Sequence, residues 1–185
     1  MVDEALFSSD KQNWETPQDL FDFLDAIFKF DLDVCADANN SKCEAYLDNC
    51  FIEDWPGRVC WMNPPYGNSI LPCADPSSCK KKRCLEEGKH VEEYIPGIAD
   101  FVNKALVESQ KECQVVTLVP SRTDTKWFQT MWKANIIVFI KGRLKFGNSK
   151  SCAPFPSAIG IFGYSITSQQ IAQLSILGKV ITPCQ

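Results

Sequence analysis

A chain of 185 residues, 45% of them hydrophobic, can bury one sizeable core but not two comfortable ones, so a single domain over 1–185 is expected. No stretch approaches the roughly 18 apolar residues of a membrane span, and the polar start Met1 to Gln12 lacks the basic-then-apolar pattern of a signal peptide, so an intracellular, soluble protein (cytoplasm or nucleus) without a membrane partner is expected. The net charge of −4 argues against nucleic acid only until it is divided along the chain: residues 1–124 carry 12 Lys/Arg against 23 Asp/Glu, whereas residues 125–185 carry seven Lys/Arg (Lys126, Lys133, Lys141, Arg143, Lys145, Lys150, Lys179) and no acid, which leaves room for one face attractive to phosphates or for cations scattered over the surface.

Thr16-Pro17-Gln18-Asp19 has the form of a helix start, with Thr16 as N-cap and Pro17 at the first helical position. Leu20, Phe21, Leu24, Ile27 and Phe28 recur at helical spacing, which predicts a helix over about 17–29. Phe30 to Val34 alternates and runs into small polar residues as far as Asn40, the pattern of a short strand ending in a loop where a nucleotide-type cofactor would be met. Val59-Cys60-Trp61-Met62 is a second short strand. It breaks into Asn63-Pro64-Pro65-Tyr66-Gly67, where two prolines exclude both ladder and helix.

Residues 68–97 read as an insertion with little regular structure, given three cysteines, the breakers Pro72, Pro76, Gly88, Pro96 and Gly97, and the run Lys80-Lys81-Lys82-Arg83. Beyond it, Ile98, Phe101, Val102, Ala105 and Leu106 mark a helix to about Gln110, and Val115 to Val119 a buried strand. Thr125 to Ala134 reads as a helix, Ile136 to Ile140 and Ala158 to Tyr164 as strands, and Gln169 to Leu177 as a last short helix. This alternation predicts an α/β fold: a mostly parallel, doubly wound sheet with helices on both faces and a Cys-rich insertion.

The Asn63-Pro64-Pro65-Tyr66 loop offers two hydrogen-bond acceptors, the Asn63 side-chain oxygen and the Pro64 carbonyl, on a backbone stiffened by proline. The exocyclic N6 of adenine is a poor nucleophile because its lone pair is delocalised into the ring. Two acceptors that each take one of its hydrogens favour a more tetrahedral nitrogen whose lone pair points at an electrophile. Tyr66 suits stacking on a base turned out of a duplex, an interaction worth about 1–3 kcal/mol. A proline-rich turn around a buried tyrosine is the alternative reading.

Several separated segments then point the same way: Trp14-x-Thr16-Pro17, Phe30 to Ala36, Asn63 to Tyr66, Leu118-Val119-Pro120-Ser121-Arg122-Thr123-Asp124-Thr125-x-Trp127-Phe128, and Gly142-Arg143-Leu144-Lys145-Phe146. In this order they resemble the phage-type DNA N6-adenine methyltransferases of the Dam family, over most of the chain outside the insertion. The resemblance implies a Rossmann-like class I methyltransferase sheet, S-adenosylmethionine as cofactor and double-stranded DNA as partner. It points to Thr16, Pro17, Asp33 and Ala36 as cofactor contacts, and to Asp54 for the cofactor adenine, with Glu53 and Asp48 competing for that place. Arg122, Arg143, Lys145 and Lys150, together with Lys80, Lys81, Lys82 and Arg83 of the insertion, are candidate DNA contacts. The same loop would also suit an RNA base or a protein glutamine, and a fold retained only for binding DNA is a third reading.

The insertion departs from the family. Cys73, Cys79, Cys84 and His90, the only histidine, fall within 18 residues, a composition suited to tetrahedral zinc although the spacing matches no familiar zinc module. Ten cysteines beside a large predicted core fit reduced thiols better than a disulfide framework. Unliganded thiols in a basic loop are the alternative to zinc.

Overall fold

The computed structural model describes residues 14–183 apart from 74, 76, 77, 89 and 148, and only the backbone of residues 83 and 87. The polar start, Met1 to Gln12, therefore lies outside the described residues, as does the Arg83 side chain. Helix α1 (Gln18–Phe28) leads to β1 (Leu32–Asp33) and β2 (Val59–Met62). After the insertion, with its short helix α2 (Lys82–Glu87), come α3 (Ile98–Ser109), β3 (Gln114–Pro120), α4 (Phe128–Met131), β4 (Ile136–Ile140), β5 (Ser157–Phe162), α5 (Ser168–Leu174) and β6 (Gly178–Ile181). No helix among the described residues is long and apolar enough to cross a membrane.

The six strands form one sheet in the order β1-β2-β3-β5-β4-β6. Every residue of β3 and β5 is buried, as expected of central strands covered on both faces. The two covering layers can be told apart by register. Trp61 of β2 pairs with Asp33 and Val116 and meets Phe21 of α1 edge-on at 5.8 Å, so α1 covers that face. Thr117 and Gly160 pair one residue further on, on the opposite face. A Cβ on Gly160 would stand 2.5 Å from Met131 Cε, so α4 lies over that second face.

The expected α/β class and the helices on both faces are present, but the sheet is mixed. The pairs β1–β2 and β2–β3 are parallel, whereas β3–β5, β4–β5 and β4–β6 are antiparallel. A parallel return needs a crossover, usually a helix, and the described residues of the 141–156 connection between β4 and β5 contain none. The chain therefore turns at one end of the sheet and comes back between β3 and β4. Two further expectations are amended. The Thr125–Ala134 helix shrinks to four residues, because Phe128, Thr130, Lys133 and Ala134 donate their N–H to the carbonyl three residues back, the tighter pattern of a 3₁₀ turn. β6 was not foreseen, and α2 is a short helix in an insertion expected to have little regular structure.

Candidate functional site

Strands β1 to β4 share one direction, so their carboxyl ends lie together, and β5 begins at that same end. In sheets of this kind ligands are met outside the carboxyl ends of the strands. A cavity of ≈ 590 Å³ opens there, lined among others by Trp14, Thr16, Asp33, Ala36, Lys42, Asp48, Asn49, Asn63, Pro64, Pro65 and Phe101. Residues distant in sequence and singled out above are thus brought to one wall: Thr16, Asp33, Ala36, Asn63, Pro64 and Pro65.

Asn63 follows directly on β2, and its side chain is fixed by three partners. Its amide nitrogen donates to the Trp14 carbonyl and to Thr16 Oγ1 at 3.0 Å. Its Oδ1 accepts from the Tyr66 hydroxyl at 2.7 Å. The Trp14 carbonyl can only accept, which sets the amide orientation and leaves Oδ1 as the acceptor end. An amide oxygen has two lone pairs and Tyr66 uses one. Among the described residues no backbone or side-chain donor reaches the Pro64 carbonyl. Asn63 Oδ1 thus keeps one lone pair, the Pro64 carbonyl has no partner among the described residues, and both residues line the cavity.

Two sequence expectations change here. Thr16 does not cap α1. The helix starts at Gln18 with Pro17 in an extended conformation before it, and the buried Thr16 hydroxyl instead accepts from Asn63; Pro17 itself does not line the cavity. The ring of Tyr66, expected as a stacking surface, is only 6% exposed in this structure. Phe155 and Phe146 enclose it edge-on at 5.7 and 6.1 Å, and Trp14 packs on the same two rings. Burial pushes the phenol of Tyr66 well above its ordinary pKa, so its hydroxyl stays a donor.

Asp33 is 3% exposed. Its oxygens accept the backbone N–H groups of Cys35 at 3.2 Å and Lys42 at 3.0 Å, closing the loop after β1 around the cavity. Burial raises its carboxyl above the ordinary value, although both N–H groups and the Lys42 charge act in the other direction. Asp54 stands apart from the cavity, with its carboxylate 2.8 Å from Lys111 and 3.7 Å from Lys104. Of its competitors, Asp48 lines the cavity and Glu53 does not. Lys42, Asn49 and Phe155 were not anticipated, because they lie in loops without periodicity, whereas Trp14 and Phe146 belonged to quoted segments.

The carboxyl end of the sheet also gathers cations. Arg122 follows β3, and Lys141, Arg143, Lys145 and Lys150 follow β4; all are exposed, and none has an ion-pair partner among the described residues. Several cations of the amino-terminal part are instead neutralised, as in Arg58–Asp31 and Lys104–Glu108. The segment carrying Arg143 and Lys145 is docked on the site, since Gly147 N–H donates to the Glu15 carbonyl and Phe146 packs on Trp14.

The insertion is rooted on the same loop. Ile98 N–H donates to the Gly67 carbonyl at 2.9 Å, and Ile70 and Ile95 exchange two backbone bonds. Gly97 allows the close approach, because a Cβ there would fall 2.0 Å from Ser69 N. At the far end the ligating atoms of Cys73, Cys79, Cys84 and His90 all lie within 4.8 Å of one another. Lys80, Lys81 and Lys82 are exposed beside them, though Lys81 bonds the Leu71 and Pro72 carbonyls and Lys82 lies 3.7 Å from Glu86. No disulfide joins the nine described cysteines.

Residues 4–158 match the family described as DNA N-6-adenine-methyltransferase (Dam). The chain belongs to this family. Among relatives, a DNA N-6-adenine-methyltransferase of Haemophilus phage HP1 (strain HP1c1) is 45% identical over 67 residues, covering 34% of this chain and 39% of that protein. Another, of Escherichia phage T1, is 26% identical over 137 residues, 71% of this chain and 45% of that protein. The chain thus spans less than half the length of the phage relatives it matches.

Proposed function

We propose that this chain is an adenine-specific DNA methyltransferase acting on N6 of an extruded adenine. The observation that carries the reading is the pair of acceptors, Asn63 Oδ1 and the Pro64 carbonyl, at the wall of a cavity that also holds Thr16, Asp33 and Ala36. Family membership and the activity named for the two phage relatives support it.

S-adenosylmethionine supplies the electrophilic sulfonium methyl group. The residues fit such a ligand: the cavity lies within the roughly 300–1,000 Å³ common for small-molecule sites, with a buried carboxylate at Asp33 and polar groups at Asp48 and Asn49. Thr16, Asp33 and Ala36 would hold it, with Asp48, which lines the cavity where Asp54 does not, as a further polar contact. Asn63 Oδ1 and the Pro64 carbonyl take the two hydrogens of N6 and turn its lone pair toward the cavity. Tyr66 positions Asn63 through its hydroxyl, while Pro65 and Phe101 give the base an apolar wall. A duplex buries this amine, so the adenine must leave the stack. The unpaired cations at Arg122, Arg143, Lys145 and Lys150, with Lys80 to Arg83, hold the duplex phosphates meanwhile. Labelled methyl transfer, offered unmethylated duplex DNA, RNA and protein extract in parallel, is expected to mark the DNA alone. Label in RNA or protein with none in DNA would overturn the reading, as would no transfer at all.

Cys73, Cys79, Cys84 and His90 fit one structural zinc ion. Zn–S bonds of about 2.3 Å place tetrahedral sulfurs about 3.8 Å apart, and the ligating atoms here already lie within 4.8 Å of one another. Four protein ligands leave no open position for a catalytic water. The metal would order a segment poor in core and fix the basic run that Lys80 opens between Cys79 and Cys84. Protein purified without chelator should carry about one zinc per chain. Removing the metal should loosen residues 68–97 and weaken DNA binding while the main domain stays folded and binds cofactor. Zinc well below one per chain, or full occupancy surviving Cys79→Ser with His90→Ala, would contradict this.

A further inference from the structure

We propose that Lys42 is the residue that receives the cofactor's carboxylate, working with Asp33, which receives its ammonium, so that the two together read the amino-acid end of the ligand. This rests on the reading that the cavity binds S-adenosylmethionine. Both residues line that cavity. Asp33 is buried, accepts only two backbone N–H groups and has no ion-pair partner among the described residues. A buried carboxylate so placed is stabilised by a cation entering the cavity.

Lys42 carries the complementary charge. Its ammonium donates to Glu15 Oε1 at 3.2 Å and Gln18 Oε1 at 3.1 Å, and an ammonium has three N–H groups, so one remains. Its side chain is 12% exposed, held against the wall rather than waving in solvent. The backbone N–H of Lys42 sits on Asp33 Oδ2, which places both residues on a single closed loop. An α-amino acid carries its ammonium and carboxylate on one carbon and needs opposite charges close together. The adenosine end of the cofactor carries neither group. The alternative is that Lys42 only neutralises Glu15.

Binding calorimetry on the full chain separates these accounts with two probes: S-adenosylhomocysteine, which has the amino-acid end, and 5′-methylthioadenosine, which lacks it. Lys42→Met keeps the aliphatic stem and removes the charge. It should weaken S-adenosylhomocysteine at least about tenfold, roughly the 1.4 kcal/mol of one lost charged contact, and leave 5′-methylthioadenosine within about twofold. Glu15→Gln, which frees Lys42 from its competing carboxylate, should keep or tighten binding of S-adenosylhomocysteine. Equal losses for both probes in Lys42→Met, no loss for either, or weaker S-adenosylhomocysteine binding in Glu15→Gln would overturn the assignment. Should the unsubstituted protein bind neither probe, the cofactor reading of the cavity fails, an outcome distinct from failure of Lys42 alone.

Discussion

Asn63→Ala is expected to lower turnover by at least about 10²–10³, the usual cost of removing one preorganised hydrogen-bond partner of a transition state, while cofactor affinity changes no more than a few-fold. On the proposed role the oxygen lost accepts an N6 hydrogen, so its contribution would grow as the nitrogen becomes tetrahedral and would fall on kcat. The substitution also leaves the Trp14 carbonyl, the Thr16 hydroxyl and the Tyr66 hydroxyl without their shared partner. Unsatisfied buried groups cost about 1–3 kcal/mol each, so thermal melting must accompany the kinetics. Steady-state methyl transfer, binding calorimetry and melting on the same preparation give the check. A cofactor affinity that falls as far as the rate would show that Asn63 serves the cofactor and not the amine.

The second large effect is expected at the cationic carboxyl end. Replacing Arg143, Lys145 and Lys150 together by Ala should weaken DNA binding roughly a hundredfold at physiological salt, since each phosphate contact contributes about 0.9 to the logarithmic salt slope. The slope should flatten by up to about 2.7. The three side chains are exposed and have no ion-pair partners among the described residues, so their removal leaves nothing unpaired and folding should be unchanged. Cofactor binding should be unchanged as well. DNA affinity measured from low to high salt tests this, and an unaltered affinity with an unaltered slope would remove this face from the DNA interface.

What the sequence made legible follows from local physics. Helices α1 and α3 show because Leu20, Leu24, Ile98, Val102 and Ala105 fall on single faces. The strand Val59–Met62 shows because its apolar run ends at two prolines, which place Asn63 at the sheet's carboxyl end. The Cys73–His90 group was visible as composition alone.

The misses are contacts between distant segments. Asp54 looked available, but Lys104 and Lys111, its partners, lie some fifty residues away. The enclosure of Tyr66 by Phe146 and Phe155 joins segments far apart in sequence. The direction of β5 is set by a long helix-free connection, and β6 is a short edge strand, half-exposed and too weakly patterned to stand out. Lys42 and Asp48 sit in a loop whose shape depends on Asp33 receiving backbone N–H groups, and periodicity carries no trace of that.

The central claim is that the Asn63–Pro64 acceptors direct a methyl group onto one atom, and the chemical identity of the product tests it most directly. Unmethylated duplex DNA, incubated with the protein and S-adenosylmethionine and then digested to nucleosides for mass spectrometry, should yield N6-methyldeoxyadenosine and no other methylated nucleoside. The same DNA treated with Asn63→Ala should yield almost none. Methylated cytosine, unmodified DNA, or N6-methyldeoxyadenosine formed equally well by Asn63→Ala would contradict the account.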